Sequence, residues 1–227
     1  MKNLVIRISF IIVTFLVSTA LLWAQSEEEE KINEALDVLE DLTEAPEEGI
    51  PPVFFNKSEA IAIFPGVIKA GLIVGGRHGK GIVMIKDEQG NWSNPAFVSL
   101  SGGSFGLQIG AQSADIVLLF REKETVRQIK EREITLGGDA AVAAGPLGRE
   151  IGTSTNPEFS AEVYSYARSR GLFAGLTIEG SVISVNESAN QDFYDDPNID
   201  MNEIFIRDNL QVPPVVNRLQ QHLKAMR

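Results

Sequence analysis

Six short apolar runs between residues 60 and 120 constrain the fold of this chain more than any other feature. They read AIAIFPG, GLIVGG, GIVMI, NPAFVSL, FGLQIGAQ and DIVLLF, and Gly, Asn or Pro punctuates them. Apolar runs of this length with turn residues at their ends are typical of β-strands. Because the strands follow one another closely, the pattern favours a meandering antiparallel sheet over βαβ units.

Segments with helical character lie at both ends of the chain and directly after this strand-rich region. Residues 31–45, KINEALDVLEDLTEA, predict a helix that packs an apolar stripe on the domain and turns its acids to water. Residues 121–133 predict a polar surface helix, and a Pro pair starts a last helix in residues 213–226. Between them the strand pattern resumes in ITLGGDAAVAAGPLGRE, AEVYSYARS, GLFAGLTIEG and SVISV. The predicted class is α+β: a curved, mainly antiparallel sheet, sandwich- or barrel-like, with flanking helices at both ends.

The N-terminal segment has the composition of a secretory signal peptide. Lys2 and Arg7 precede an apolar run over residues 8–23, and small residues stand near the end of that run. Cleavage after Ala20 or after Ala24 is compatible with this pattern. Retention as an anchor is the alternative, although the run is short for a full bilayer span. We therefore expect an exported protein, periplasmic or secreted, with peripheral association to a membrane as one option.

The acidic residues of this chain are unevenly distributed. The formal net charge is −11, and residues 27–48 alone contain eleven acidic side chains and one Lys. We expect a signal peptide at 1–24, an acidic N-terminal helical arm at 25–49 and one domain at 50–227. Nucleic-acid binding is not expected, because phosphate contacts need clustered Lys and Arg. Without Cys the chain has neither a disulfide framework nor a lipoprotein thioether anchor.

Residues that could carry catalysis are scarce. The chain has two His and no Cys, and His78 has no paired nucleophile or metal-ligand spacing. The stretch AGLIVGGRHGKG is not a P-loop, because Gly follows Lys80 where a Ser or Thr would hold magnesium. Asp195, Asp196 and Asp200 lack the Gly and the terminal Glu of a calcium loop, so they are expected to be solvated carboxylates. We expect no enzymatic activity, cofactor or metal.

Glycines recur four residues apart in three places, with apolar residues between them. On one strand, positions i and i+4 share a face, so each stretch would have a face cleared of side chains at two points. Such a face allows either sharp sheet curvature and close packing or a groove that accepts an acyl chain or a partner helix. The glycine pairs are Gly71 and Gly75, Gly106 and Gly110, and Gly171 and Gly175.

Basic residues cluster early in the strand-rich region. If strands near Gly71 and Gly81 pair through a turn around His78, then Arg77, His78 and Lys80 meet at one rim of the sheet. Such a rim could receive a phosphate head group, and ordinary solvated turn charge is the alternative. The candidate head-group residues are Lys57, Lys69, Arg77, His78 and Lys80.

Several stretches together resemble the SYLF domain family. They are the strand-rich region from residue 60 to 120, then LGGDAAVAAGPLGR, YSYARSRGLFAGLTIEGSVI and QDFYDDP, all in the family's order. The resemblance implies a lipid-binding module. Eukaryotic relatives combine the domain with SH3 or FYVE domains, bind phosphoinositides, and in yeast-type members bind and bundle actin. Bacterial relatives are exported single-domain proteins, often lipoproteins.

The chain departs from that pattern in the region before its core. Eukaryotic members place an amphipathic membrane-binding helix there, whereas SEEEEKINEALDVLEDLTEAPEEG is acidic. The expected function is non-enzymatic binding of lipid or phospholipid at a membrane of the cell envelope. The alternatives are a protein-interaction or envelope-scaffold module that binds a peptide or partner helix, and an unrecognised hydrolase.

Overall fold

The computed structural model describes residues 26–44, 49–71, 74–105, 110–131, 133–146, 160–169, 172–175 and 178–226. Its helices are α1 (Glu27–Glu44), α2 (Pro52–Lys57), α3 (Lys123–Glu131), α4 (Glu187–Tyr194), α5 (Met201–Ile206) and α6 (Pro214–Ala225). Its strands are β1 (Ala60–Gly71), β2 (Val74–Ile85), β3 (Ala96–Phe105), β4 (Gly110–Phe120), β5 (Ile134–Thr135), β6 (Val142–Ala144), β7 (Val163–Ser169), β8 (Leu172–Gly175) and β9 (Ser181–Val185).

All of the strands belong to one sheet. Its order is β5-β9-β3-β2-β1-β4-β7-β6, and β8 pairs with β7 outside this path. The β6–β7 pair is parallel and the other pairs are antiparallel. The sheet curls into a half-barrel. The predicted α+β class with a curved, mainly antiparallel sheet and helices at both ends is therefore confirmed.

The sheet buries side chains on both faces, which explains why its strands read as continuous apolar runs. One face, the α1 face, carries Ile63 and Ile82 and packs against α1, α2 and α6. The other, the α3 face, carries Leu118 and Phe120 and packs against α3 and α5. The sheet is thus the middle layer of the molecule, with a hydrophobic core on each side.

Helix α1 forms where its sequence pattern predicts it. Ile32 and Leu39 are fully buried against the sheet, and the acidic residues of the first turn lie near the positive end of the helix dipole. The polar helix α3 is confirmed as well, since its buried residues within 123–129 are the apolar Val126 and Ile129. Both helices follow from local periodicity, because one stripe is apolar and the remainder is charged.

A β-bulge at Pro65 and Gly66 interrupts β1. Gly66 has a φ of +62°, and its N–H donates to Asp115 Oδ1 at 2.9 Å. Before the bulge Ile63 faces the α1 side, whereas Val67 beyond it faces the α3 side. One extra residue in a strand exchanges the faces of all later residues. The bulge therefore decides which side chains at the end of β1 share a surface.

The region after β9 contains a helix that the sequence pattern did not predict. Helix α4 begins at the N-cap Asn186, whose side chain accepts a hydrogen bond from Ala189 N–H. Asp200, interpreted above as a solvated carboxylate, instead caps α5 and forms a capping box with Glu203. Asp196 lies 3.4 Å from Arg207. These contacts give two of the three aspartates of this loop structural partners.

Candidate anion-binding site

Lys69 and Arg77 lie directly opposite each other on β1 and β2. The bulge in β1 places Lys69 on the α3 face with Val67, and alternation along β2 places Arg77 on that face with Val83. His78 pairs with Ile68 one position further along, so it lies on the α1 face, and Lys80 shares that face. Only two of the predicted head-group residues are therefore brought together on this surface.

The predicted turn around His78 is wrong. Strand β2 runs without interruption from Val74 to Ile85, and the chain reverses between Gly71 and Val74. Arg77 thus sits inside a strand, where neighbouring residues point to opposite faces. The common rim of Arg77, His78 and Lys80 does not exist. Lys57 is exposed in the last turn of α2.

The Lys69–Arg77 pair belongs to a row of residues that crosses five strands of the sheet. Two residues further along each strand towards the hydrophobic core, the same face is apolar, with Leu100 beside Ile183 on β3 and β9. Two residues along each strand in the opposite, outward direction lie Ser104, Gly75, Gly71 and Gly110, which carry little or no side chain. The polar row itself consists of Ser181, Gly102, Arg77, Lys69 and Gln112.

Arg77 is a partly desolvated cation of this row. Its side chain is half-buried, and its Nε atom has no hydrogen-bond partner among the residues that the structure describes. Burial lowers the pKa of the guanidinium from its ordinary value. Within the same described residues neither Arg77 nor Lys69 makes an ion pair. Like charges directly opposite on a sheet destabilise each other, so this pair favours a bound anion.

The cations on the α1 face are in a different electrostatic setting. Lys80 donates to Glu27 Oε1 at 2.6 Å, and this hydrogen bond lowers the pKa of the Glu27 carboxyl. A groove of about 380 Å³ between α1 and the β1–β2 pair contains His78 together with Glu30 and Glu34. Acidic side chains thus surround the basic ones here, and the groove does not favour an anion.

The glycine pattern has a different geometry from the predicted one. Gly71 and Gly75 do not share a strand; they lie opposite each other on β1 and β2, and Gly110 pairs with Gly71 from β4. Gly175 pairs with Tyr166 at the end of β8. The i, i+4 interpretation fails for Gly71 and Gly75 because the chain reverses between them. Gly106 and Gly171 lie outside the described residues.

Close packing requires a different set of glycines. A Cβ on Gly81 would lie 2.2 Å from the Ile63 carbonyl oxygen, and one on Gly79 would lie 2.7 Å from Val67 Cγ2. A Cβ on Gly102 would lie 2.9 Å from Ser181 Cα. These distances are too short for any side chain, so these positions are steric requirements of the fold.

The sequence pattern does not predict three members of the polar row. Ser181, Gly102 and Gln112 join Lys69 and Arg77 only through the register of four strand pairs. No motif marks them, because residues 69 and 181 are far apart in sequence. Ser181 is fully buried, and its Oγ has no hydrogen-bond partner within the described part of the chain.

The described residues contain neither a helix that could span a membrane nor a cluster of side chains that could hold a metal ion. None of these helices is long and apolar enough to cross a bilayer. In the same parts of the chain, no group of three or more His, Asp or Glu side chains is arranged to hold a metal ion.

Comparison with known proteins identifies the class of binding domain. A family model, Ysc84, described as Las17-binding protein actin regulator, matches residues 101–226. The match covers more than half of the chain, and the chain belongs to this family, as the SYLF resemblance predicts. The family is described by a binding and regulatory role.

Similar relatives include proteins of yeast and vertebrates. Protein YSC84 of Saccharomyces cerevisiae is 35% identical over 179 residues, which cover 78% of this chain and 38% of the relative. SH3 domain-containing YSC84-like protein 1 of Xenopus laevis is 39% identical over 160 residues, covering 70% of this chain and 48% of the relative. The human protein of that name is 37% identical over 166 residues with the same coverage. The chain thus spans less than half the length of these curated relatives.

Proposed function

We propose that this protein is a non-enzymatic phospholipid-binding module that acts at a membrane of the cell envelope. The observation that carries the proposal is the Lys69–Arg77 pair, two adjacent cations without an acidic partner among the described residues. An anionic head group supplies the missing counter-charge. The desolvated guanidinium strengthens the attraction, because charge-assisted hydrogen bonds to phosphate are strong in partly buried surroundings.

The overall charge of the chain makes a local site necessary. With a formal net charge of −11 the protein is repelled as a whole by an anionic membrane. A basic residue near an anionic surface contributes about 1 kcal/mol of attraction, which decays within a Debye length. Lys69 and Arg77 therefore act at short range. The outward neighbours Gly71, Gly75 and Gly110 leave room for a head group to approach the backbone.

Export is part of the same proposal. The basic residues and apolar run of the first 24 residues support secretion, and the product would be periplasmic or secreted. Association with the membrane would be peripheral, through the head-group site.

Binding of a protein partner is the second candidate function. The family description and relatives such as LAS seventeen-binding protein 3 are named for binding another protein. The feature of this chain that favours it is Ile68, which is 56% exposed beside the groove on the α1 face. A peptide or partner helix with an apolar side chain could cover it.

Vesicle sedimentation tests the lipid proposal. Wild-type protein should bind phosphatidylcholine vesicles that contain phosphatidic acid, and not vesicles of phosphatidylcholine alone. The double variant Lys69→Gln/Arg77→Gln should bind roughly thirtyfold more weakly, since two charges contribute about 2 kcal/mol. Its salt dependence should also flatten.

Lys80→Gln is the matched control for this experiment. It removes a charge from the same strand, but on the α1 face and from a residue already paired with Glu27. Binding should change little. Equal losses in Lys80→Gln and Arg77→Gln, or no binding of the wild type to anionic vesicles, would contradict the proposal.

A further inference from the structure

We propose that the polar row is a site for one phosphate group, in which the hydroxyl of Ser181 and the cations of Arg77 and Lys69 bind the same oxyanion. The proposal rests on the proposed function only where the phosphate belongs to a lipid. It adds a buried hydrogen-bond donor to the pair of cations.

Ser181 is the observation that defines the site. Its side chain is fully buried on the α3 face, yet its Oγ makes no hydrogen bond to any described residue. Most buried hydroxyls have a partner, because burying an unpaired polar group costs free energy. The Arg77 Nε in the same row is likewise buried without a partner among the residues that the structure describes. Two unsatisfied donors in one row point to a common acceptor.

Gly102 lies between these two donors in the row and packs closely against Ser181, since a Cβ on Gly102 would lie 2.9 Å from Ser181 Cα. A Cβ at this position would lie 3.2 Å from Ser181 Oγ, so the hydroxyl lies over Gly102 on the side towards Arg77. Ser181 and Arg77 are two strand spacings apart, about 9.6 Å between backbones. An extended Arg side chain and one phosphate together bridge that distance.

The chemistry of the row suits an oxyanion. The hydroxyl, guanidinium, ammonium and carboxamide groups of Ser181, Arg77, Lys69 and Gln112 can all donate hydrogen bonds, and the row contains no carboxylate. A tetrahedral phosphate accepts from several directions, and both cations offset its charge. A lipid head group and free phosphate share this chemistry.

Ser181→Ala is the decisive variant. Since Ser181 Oγ has no partner in the described part of the chain, its removal should leave the melting temperature unchanged or slightly higher. Phosphate affinity should fall at least about tenfold, because hydrogen bonds to charged groups are the strong ones. The measurement is a titration with inorganic phosphate, followed by the amide resonances of Gly102 and Ser181.

Ser165→Ala is the matched control, another fully buried serine of the sheet. Ser165 Oγ donates to the Ala143 carbonyl at 3.4 Å, so its removal should lower stability and leave phosphate affinity unchanged. Saturable shifts at Gly102 and Ser181 that weaken only in Ser181→Ala support the site. Unchanged phosphate affinity in Ser181→Ala, or shifts confined to other regions, would overturn it.

Vesicles containing phosphatidic acid separate the two sources of phosphate. Binding of both inorganic phosphate and vesicles, each weakened by Ser181→Ala, supports the site with a lipid ligand. Phosphate binding without vesicle binding supports the site and contradicts the membrane function. Vesicle binding that depends on Arg77 but not on Ser181 overturns the site and leaves the membrane function standing.

Discussion

The side-chain amide of Asn190 hydrogen-bonds the backbone of Phe97 as a neighbouring strand would. Phe97 N–H donates to Asn190 Oδ1 at 2.7 Å, and Asn190 Nδ2 donates to the Phe97 carbonyl at 3.1 Å. Phe97 lies one residue beyond the last β3–β9 pair, Val98 with Val185. A buried amide thus closes the edge of β3 where β9 ends. Sheet edges need such protection against pairing with other chains.

Replacing Asn190 with Ala should destabilise the protein by about 2 to 3 kcal/mol, because a buried backbone N–H loses its acceptor. Urea unfolding measures the change in the free energy of unfolding. The exposed Asn198→Ala is the control and should stay within about 0.5 kcal/mol of the wild type. Equal stabilities of the two variants would contradict the role of Asn190.

Gly81 and Gly76 lie on the same strand but differ in the space around them. A Cβ on Gly81 would clash with the Ile63 carbonyl, whereas the nearest atom to a Cβ on Gly76 is 3.9 Å away. We expect Gly81→Ala to lose about 3 kcal/mol or more of stability, because backbone must move, and Gly76→Ala to be within about 0.5 kcal/mol of the wild type. Thermal melting of the two variants tests this. Similar melting temperatures would show that the bulge adapts to a side chain.

Lys86 is a buried cation that closes the C-terminal end of α2. It is 7% exposed, and its Nζ donates to the carbonyls of Phe55 at 3.2 Å and Ser58 at 2.5 Å. Lys86→Met keeps the apolar stem but removes the ammonium that donates to these carbonyls, so we expect a loss of about 2 to 4 kcal/mol. Lys57→Met, at an exposed position in the last turn of α2, should change the free energy of unfolding little. Chemical denaturation distinguishes the two variants, and equal stabilities would assign Lys86 no structural role.

Tyr194 should make the protein sensitive to alkaline pH. Its hydroxyl donates to the Pro95 carbonyl at 2.7 Å, and burial raises the pKa of the phenol above its ordinary value. Unfolded tyrosine ionises at about pH 10, and the folded-state pKa of Tyr194 is higher. Tyr194 therefore contributes its full stabilisation of the folded state below about pH 10, and this contribution is lost as the pH rises further. Tyr194→Phe should lose the hydrogen bond at neutral pH but show a shallower decline above pH 10. Parallel stability curves would contradict this assignment.

Export should remove the N-terminal segment. Its basic start and apolar run fit a signal peptide, so the mature chain should begin at Leu21 or Gln25. Intact-mass measurement of the protein from its native host distinguishes these products. A mature chain that still begins at Met1 would contradict export with cleavage.

The sequence alone determined the elements whose signals are local. The apolar stripe of α1 follows from periodicity, and the family followed from motifs in order. The six apolar runs located the strand-rich region, but the structure has four longer strands there, because β2 and β4 each unite parts of two runs. Helix α4 has a local signal in its N-cap Asn186 that the prediction missed, whereas the burial of its polar residue Asn190 is explained only by hydrogen bonds to β3.

Only the tertiary structure decided the composition of the candidate site. The predicted rim joined Arg77 to His78, but alternation along β2 puts these two residues on opposite faces, and the bulge at Gly66 turns Lys69 of β1 onto the α3 face with Arg77. Ser181 joins them from a strand more than a hundred residues away in the sequence. Sequence spacing cannot reveal these contacts, because a shift of one residue in register moves every side chain of a strand to the opposite face.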